Sequence, residues 1–275
     1  MLEVRIVSHT CSNTEIVCAL GCADLLVGVD DHSDYPTEVV SRLERIGPDL
    51  GIDVERVKRL EPDLVLSSLT VPGHEKVVAA LERAGLPLLV LAPKSLTDVY
   101  VDVERIARAL GVEERGRALG AQMREELRLA PETSTPRPPI LVEWWPKPVI
   151  VPGKRSWVTD MLAIAGGANP WAARDSESTP IGDDEVIAAA PEAIVVSWCG
   201  VEPEKLRPDI VRRRQAWRRV PAIANDRIYC VSEAWMGALF HAIAIPRTPR
   251  TMARRARTPS TRRGPGRPIQ ASDTQ

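Results

Sequence analysis

Aromatic residues are scarce in this chain, and those present are unevenly placed. Its 275 residues include one phenylalanine, three tyrosines and seven tryptophans. All seven tryptophans lie between Trp144 and Trp235. The large, flat apolar side chains are therefore concentrated in one part of the sequence.

The sequence argues against two classes of protein, those that cross a membrane as a helix and those that depend on disulfides. No apolar run approaches the roughly 18 residues that would cross a membrane as a helix. Five cysteines are an odd number, so a disulfide framework is not expected. Cys18 and Cys22 stand one helical turn apart in an apolar stretch and are predicted to be buried free thiols. Together with Cys11 and His32 they match no common zinc spacing, so no metal site is expected.

Catalytic motifs are also missing. The sequence has no G-x-S-x-G elbow and no H-E-x-x-H helix. Gly153–Ser156 superficially resembles a phosphate loop, but Pro148 stands where its first glycine would be. The chain has four histidines, so few residues could serve as the base of a catalytic triad. We therefore expect no catalytic residues; an α/β enzyme or a cytosolic cofactor-handling protein is the competing hypothesis.

The net charge of −1 is the sum of a basic C-terminal segment and an acidic remainder. From Gly237 onward there are eight arginines against one acid, Asp273, which gives +7 and leaves −8 for the rest. The acidic body argues against nucleic-acid binding by the main fold. Residues 237–275 show no helical or strand period, so we expect a basic tail that is disordered or aberrant, as a frameshift would produce. A nucleic-acid-binding arm is the third alternative.

The first residues predict a β-strand rather than a secretory signal sequence. Met1 is followed almost at once by the run Val4–Ser8. A secretory signal would place a basic segment, an apolar segment and small residues ahead of that strand. If the start is correct, the chain is expected in the cytoplasm.

A repeated α/β unit is the main positive feature. The same series of features occurs in Ser12–Ser68 and again in Ser156–Trp198. Each copy has a serine at the start of a helix, an apolar helix that ends at glycine, and a proline–acid pair before an apolar strand. These pairs are Pro62-Asp63 and Pro191-Glu192. A repeat of this kind predicts two similar lobes, and small molecules bind in the cleft between lobes.

Strands alternate with helices along both copies, which predicts α/β lobes with mainly parallel sheets. Ser12 and Glu15 have the spacing of a capping box at the start of the first helix. The predicted strands are 4–8, 25–29, 64–67, 87–91, 140–145, 148–152, 193–198 and 227–231, and the predicted helices begin at or near Ser12, Asp53, Glu75, Ser156 and Gly182.

One long helical segment separates the two copies. Residues 97–129 are rich in Arg, Glu and Ala, and Gly111 and Gly116 are their weak points. A continuous helix of that length would span ~45 Å at ~1.5 Å per residue, as a strut between lobes. The expected organisation is an N-terminal lobe at 1–96, a linking helix at 97–130, a C-terminal lobe at 131–236 and the tail at 237–275.

Polar and aromatic residues follow several predicted strands. Ligands of parallel α/β sheets bind outside the carboxyl ends of the strands. Flat aromatic walls at those ends would suit a large, rigid, ring-shaped ligand. The alternative is that the tryptophans are core residues and that His32 is an exposed or capping residue. The candidate ligand-binding residues are His32, Asp34, Tyr35, Trp144, Trp145, Trp198 and Trp235.

In the order and spacing of its segments the sequence resembles the class III (cluster A-II) periplasmic substrate-binding proteins, and within them the vitamin B12-binding, BtuF-like branch. The resemblance spans about residues 4–236. The segments that carry it are Arg5–Ser8, Ser12–Ile16, Val27–Val29, Ser33–Pro36, Pro62–Val65 and Pro152–Asn169.

The resemblance implies two Rossmann-like lobes joined by one long helix, with a largely preformed cleft. It also implies a non-enzymatic carrier that delivers a corrinoid to an ABC importer, outside the cytoplasm, as a monomer that reaches the membrane only through the permease. Cobalamin would be the transported ligand, and no cofactor is implied. The acid that docks the first lobe on the permease falls on Glu75; its alternative role is a favourable carboxylate at a helix N-terminus. Ferric siderophore and haem carriers share the scaffold and are the alternatives.

Overall fold

The computed structural model describes residues 4–128, 136–199, 201 and 203–231. Within those ranges no helix combines the length and the apolar character that crossing a bilayer requires. The described chain forms two α/β lobes, as the sequence predicts. The predicted tail and Trp235 lie outside the described residues.

The first lobe is built on a five-stranded parallel sheet in the order β3-β2-β1-β4-β5. Its strands are β1 (Ile6–Ser8), β2 (Leu26–Val29), β3 (Glu44–Arg45), β4 (Leu64–Ser68) and β5 (Leu88–Leu91). Ile6, Val7, Val65 and Leu66 are fully buried, because the strands in the middle of a parallel sheet are covered by helices on both faces.

The helices of the first lobe follow its strands in alternation. They are α1 (Cys11–Ala19), α2 (Thr37–Val40), α3 (Val54–Arg59) and α4 (His74–Arg83), with a 3₁₀ turn at Ala23–Leu25. Asp53 caps α3 by accepting a hydrogen bond from the Arg56 backbone N–H at 3.0 Å. The predicted capping box of Ser12 and Glu15 is wrong, because α1 already begins at Cys11 and Thr10 precedes it.

The segment predicted as one linking helix is two helices, α5 (Leu96–Ala109) and α6 (Glu113–Arg128). Gly111 has φ of +70°, a left-handed conformation that ends α5 and that glycine adopts without strain. The two helices pack closely at Gly116, where a Cβ atom would lie only 2.4 Å from Ala107 Cβ. The apolar face of α5 belongs to the first-lobe core, with Val103 and Ile106 fully buried.

The described residues of the second lobe form two small sheets, one parallel and one antiparallel. The parallel sheet has the order β11-β10-β6 and the antiparallel sheet has the order β7-β8-β9. The antiparallel sheet differs from the sequence prediction in two ways: the predicted strand 140–145 is divided at Trp144 into two strands, and the strand that begins at Ser178 lies in a polar stretch without apolar alternation. The strands are β6 (Ile140–Glu143), β7 (Trp145–Pro146), β8 (Val149–Pro152), β9 (Ser178–Ile181), β10 (Ala193–Val196) and β11 (Ile228–Cys230).

Short helices cover the second lobe. They are α7 (Trp157–Ile164), α8 (Asp183–Ala189), α9 (Pro208–Arg212) and α10 (Pro221–Ala224), with 3₁₀ turns at Pro203–Lys205 and Gln215–Trp217. The predicted start at Ser156 is confirmed, because its hydroxyl accepts a hydrogen bond from the Val158 backbone N–H at 3.3 Å.

Helix α7 joins the two lobes through packing and through one hydrogen bond. Trp157, Met161 and Ile164 pack against the core of the first lobe. The carboxylate of Asp160 accepts a hydrogen bond from the backbone N–H of Leu96 at 2.8 Å, which satisfies the first residue of α5 from the other lobe. The position of one lobe relative to the other therefore depends on α7.

Two glycines of α6 provide a matched test of the close packing between α5 and α6. Gly116→Ala should lower the free energy of unfolding by about 1–3 kcal/mol, because the added methyl meets Ala107. Gly120→Ala should raise it by up to about 1 kcal/mol, because its new methyl meets only the flexible end of Arg124 and alanine favours helix. Urea unfolding followed by circular dichroism measures both; equal effects would contradict the packing described.

Candidate functional site

The carboxyl ends of the first-lobe strands carry a buried polar cluster. The strand order reverses between β1 and β4, and ligands of open α/β sheets bind at such a switch point. His9 and Thr10 follow β1, while Ser67 and Ser68 end β4, and all four are buried. Thr10 Oγ1 lies 3.0 Å from Ser68 Oγ, and Asn13 Nδ2 donates to Ser68 Oγ at 3.1 Å. These hydrogen bonds hold the segment after β1 against the end of β4 at the switch point.

Thr10 has a strained backbone at this switch point. Its φ of 91° lies in a region that residues with a Cβ atom rarely adopt. Such a conformation costs on the order of 1–3 kcal/mol and persists only when the surroundings hold it. The backbone N–H groups of Asn13 and Thr14 both bond the Thr10 carbonyl, at 3.2 and 3.4 Å, and provide that support.

His9 is a neutral structural group below the site. Its Nε2 lies 2.7 Å from the carbonyl oxygen of Asp49, which can only accept, so Nε2 carries the proton. Nδ1 then accepts from the hydroxyl of Ser67 at 2.8 Å. Burial lowers the pKa of His9 to about 4, against the opposing effect of its hydrogen bond to Asp49. The ring is thus uncharged at neutral pH.

Asp49 brings two further histidines together at the same edge. Its two carboxylate oxygens lie 3.5 Å from His32 Nε2 and 3.4 Å from His74 Nε2. The pKa of Asp49 is lowered, first by its hydrogen bond with His74. His32, a predicted ligand-binding residue, is exposed in the loop after β2, whereas His74 is buried at the start of α4. Among the residues that the structure describes, no three His, Cys, Asp or Glu side chains are placed to hold a metal ion.

The loop from Asp30 to Pro36 presents the predicted residues Asp34 and Tyr35 to solvent. The buried carboxylate of Asp30 accepts from the Ser33 hydroxyl at 2.5 Å and from the His32 backbone N–H at 3.2 Å. Tyr35 has 41% of its surface exposed. An exposed aromatic ring on an anchored loop is suited to contact with a ligand.

Glu15 is a site residue that sequence reasoning missed, because it was interpreted as a helix-capping acid. Its side chain is buried on α1. Burial raises its pKa to about 8, and the negative charge of Asp34 raises it further in the same direction. Glu15 is therefore largely a neutral carboxylic acid at pH 7, next to a loop that carries predicted ligand-binding residues. The polar run that directly follows β1 was the signal available in the sequence.

Two exposed leucines at the same edge were also missed. Leu50 follows β3 and Leu69 follows β4, and both side chains are exposed, as is that of Tyr35 after β2. Large apolar side chains in contact with water at the carboxyl ends of strands are candidates for contact with a ligand. Their position in the segments that follow strands is the signal that the sequence offers for them.

In the second lobe, Trp144 and Trp145 differ in exposure. Trp144 follows β6 and is partly buried against the small core of Val142, Val158 and Leu162. Trp145 begins β7 and has 43% of its surface exposed. Trp145 is thus the side chain of this pair that is free to contact a ligand.

Trp198 lies in the core of the second lobe, with 5% of its surface exposed. Its indole N–H donates to the carboxylate of Glu143 at 3.0 Å. Arg214 pairs with the same carboxylate through two hydrogen bonds of 2.5 and 2.9 Å and stacks 4.3 Å over the ring of Trp217. Trp198 thus packs among core residues just after β10, and its role in ligand binding stays a prediction.

Glu75 is exposed in the first turn of α4. Its pKa is lowered by a hydrogen bond with its own backbone N–H and by a second one with the N–H of Gly73, at 2.8 Å. The carboxylate therefore occupies the helix N-terminus, where a negative charge is favourable. Its exposure also leaves it accessible to a partner.

Comparison with known proteins identifies relatives of this chain. The family described as "Periplasmic binding protein" matches residues 6–234. An uncharacterized ABC transporter substrate-binding lipoprotein of Bacillus subtilis is 29% identical over 82% of this chain and 72% of its own length. A vitamin B12-binding protein of Vibrio parahaemolyticus is 25% identical over 84% of this chain and 82% of its own. The solved periplasmic heme-binding protein RhuT from Roseiflexus is 30% identical, with a TM-score of 0.73 over 88% of this chain and 97% of that one.

Replacing Glu15 tests its neutral state. Because its folded pKa of about 8 exceeds the unfolded value of 4.5, the folded state binds more protons between these pH values. The free energy of unfolding should then fall by up to about 1.4 kcal/mol per pH unit as pH rises toward 8. Glu15→Gln should remove most of that slope in urea unfolding between pH 6.5 and 8.

The chosen pH range avoids the titration of His9, whose pKa shift has the opposite sign. The pKa of His9 is depressed from 6.5 to about 4, so its contribution changes only as pH falls below 6.5. Glu38→Gln, at an exposed position of α2, is the control and should keep the wild-type slope. A wild-type slope in Glu15→Gln would contradict a protonated Glu15.

Proposed function

The chain belongs to the periplasmic binding protein family, and from that premise we propose that it is the substrate-binding component of an ABC importer for cobalamin or a related corrinoid. The corrinoid is cargo rather than a cofactor, and no residue is assigned a catalytic role. The ligand would lie between the lobes, against the carboxyl ends of the strands.

The observation that carries this proposal is the combination of exposed apolar and acidic side chains at the first-lobe edge. Tyr35, Leu50 and Leu69 offer flat or apolar contact area there. Asp31 and Asp34 are exposed beside them and can only accept hydrogen bonds when ionised. A corrin has apolar faces and a rim of amide groups that donate N–H, so both kinds of side chain find a partner on it.

The second lobe would contribute the opposite wall. Trp145 is the exposed member of the Trp144–Trp145 pair. Trp198 would act indirectly, by supporting Glu143 at the end of β6. Trp235 is kept as a proposed ligand-binding residue from the sequence, outside the described residues.

Haem is the second candidate, favoured by the relative from Roseiflexus, whose name describes heme binding. His32, exposed at the edge, has a ring nitrogen of the kind that binds haem iron. However, the carboxylates Asp31, Asp34 and Asp49 would repel the propionates of haem and the anionic groups of ferric siderophores. For that reason the corrinoid is placed first.

The cellular placement follows from the relatives. One is described as a substrate-binding lipoprotein and the family as periplasmic. We place this protein outside the cytoplasmic membrane, as a monomer that contacts the membrane through the permease.

A titration with three ligands tests the proposal. Cyanocobalamin should bind with saturation at micromolar concentrations and change its visible spectrum, whereas haem and a ferric siderophore should bind more weakly. Tyr35→Ala and Trp145→Ala should each weaken cyanocobalamin binding about tenfold or more, since exposed aromatic anchors carry much of the energy of such contacts. Isothermal calorimetry and the visible spectrum give the dissociation constants.

The aromatic control is Tyr229→Ala. Tyr229 is as exposed as Trp145 but is the middle residue of the parallel strand β11, whereas Trp145 lies two residues beyond the end of the parallel strand β6, so its removal should not change affinity. Saturable binding of haem alone by folded protein would replace the corrinoid with haem. Turnover of any added ligand that is lost in His32→Ala would favour the enzyme hypothesis.

Glu75 is proposed to dock on a cationic site of the permease. Glu75→Gln should leave cyanocobalamin affinity unchanged and lower uptake through the reconstituted importer. Glu82→Gln, at an exposed position near the other end of α4, is the matched control. If Glu75→Gln lowers thermal stability but not uptake, the carboxylate serves only the helix N-terminus.

A further inference from the structure

The loop from Asp30 to Pro36 leaves the sheet at the end of β2 and carries three predicted ligand-binding residues, His32, Asp34 and Tyr35. Part of its conformation is fixed from within, by the carboxylate of Asp30. Ser33 adds a hydrogen bond of 2.8 Å between its hydroxyl and that of Thr14 on α1. The backbone N–H of Ser33 also donates to the carbonyl oxygen of Asp30 at 3.2 Å. A carbonyl oxygen has two lone pairs, so the Asp30 carbonyl can accept a further hydrogen bond.

Arg45, the last residue of β3, reaches carbonyl groups of this loop. Its Nη1 donates to the carbonyl oxygens of Asp30 at 2.8 Å and of Ser33 at 2.6 Å. Its Nη2 donates to the carbonyl oxygen of Val40, at the end of α2, at 3.4 Å. One planar guanidinium therefore ties the beginning and the middle of this loop, and the end of the helix α2 that follows it, to the edge strand.

Arg45 is itself held in place. Its backbone is paired with Val29 of β2, and its carbonyl oxygen accepts a hydrogen bond from Arg56 Nη1 at 2.6 Å. Its guanidinium is partly buried, where hydrogen bonds from a charged donor are stronger than those of neutral pairs. A fixed donor facing two carbonyl groups sets the orientation of the peptide that links Ser33 to Asp34.

We propose that Arg45 is a positioning residue, which holds the loop from Asp30 to Pro36 in the conformation that presents His32, Asp34 and Tyr35 to the ligand. This inference rests on the proposed function for its consequence, but the anchoring of the loop can be measured without ligand. Arg45 itself bonds carbonyl groups of the chain and is not assigned a contact with the ligand.

Loss of the Arg45 guanidinium should lower the affinity for the ligand, because the loop would spend less of its time in the ordered conformation. If the loop keeps the ligand-facing conformation only a tenth of the time, the apparent dissociation constant rises about tenfold, because binding must first order the loop. The contacts with the ligand, once formed, remain those of the wild type. Supplying guanidinium in solution should therefore restore both the loop and the affinity.

The test compares Arg45→Ala with Arg42→Ala, a change of the same type at an exposed position of the same stretch. In Arg45→Ala the backbone amides of His32 and Ser33 should exchange hydrogen faster, while those of α4 keep the wild-type rate. Cyanocobalamin affinity should fall about tenfold. Millimolar guanidinium, but not ammonium, should restore exchange protection and affinity, which a general loss of stability would not permit. Arg42→Ala should match the wild type in every measurement.

The outcomes separate the two proposals. Wild-type exchange in Arg45→Ala would overturn the positioning role, as would wild-type affinity; either would leave the proposed function standing. If the wild-type protein binds no cyanocobalamin, the corrinoid proposal fails, and the exchange measurement still decides whether Arg45 anchors the loop. Should Arg45→Ala fail to fold, Arg45→Gln, which keeps one amide donor, takes its place with a smaller expected effect.

Discussion

The packing of α7 against the first lobe is the constraint on which the rest of the arrangement depends. Within the described residues, the lobes are separate α/β units with separate cores. Trp157 and its neighbours bury apolar surface on the first-lobe core, and Asp160 satisfies the N-terminus of α5 from the opposite lobe. Apolar burial supplies most of the free energy of such a contact, while the hydrogen bond fixes its register. The ligand site proposed between the lobes would depend on both.

In both lobes an arginine side chain binds oxygen atoms of residues near the ends of strands. In the first lobe, Arg45 bonds the carbonyl groups of the loop after β2. In the second, Arg214 pairs with Glu143 at the end of β6 and donates to the carbonyl oxygen of Pro146 at 3.3 Å. The two differ in energetics. Arg45 satisfies neutral carbonyl groups, whereas Arg214 compensates a fully buried carboxylate that would be strongly destabilising if left unpaired.

Much of the fold was predictable from local pattern, and the misses share a physical cause. The predicted strand 64–67, which extends to Ser68 in the structure, and the helix starts at Asp53 and Ser156 depend on side chains near them in sequence, and these predictions are confirmed. The break at Gly111 was noted as a weak point but not as an end, because only packing of α6 back onto α5 makes the break favourable. The edges of the predicted domains stay predictions.

The candidate site was less predictable, because burial decides it. Trp198 and Trp145 both follow or begin strands in the sequence, yet one is in the core and the other is exposed. The pKa of Glu15 is raised by its burial and by the charge of Asp34, and both effects depend on segments that are distant in sequence. The tryptophan distribution has a practical result as well. Since every indole lies at residue 144 or later, tryptophan emission reports on the second lobe and on α7, whose Trp157 packs against the first-lobe core. Emission and far-ultraviolet dichroism together would therefore show whether the second lobe and its contact with the first unfold in one step with the rest of the chain or in a separate one.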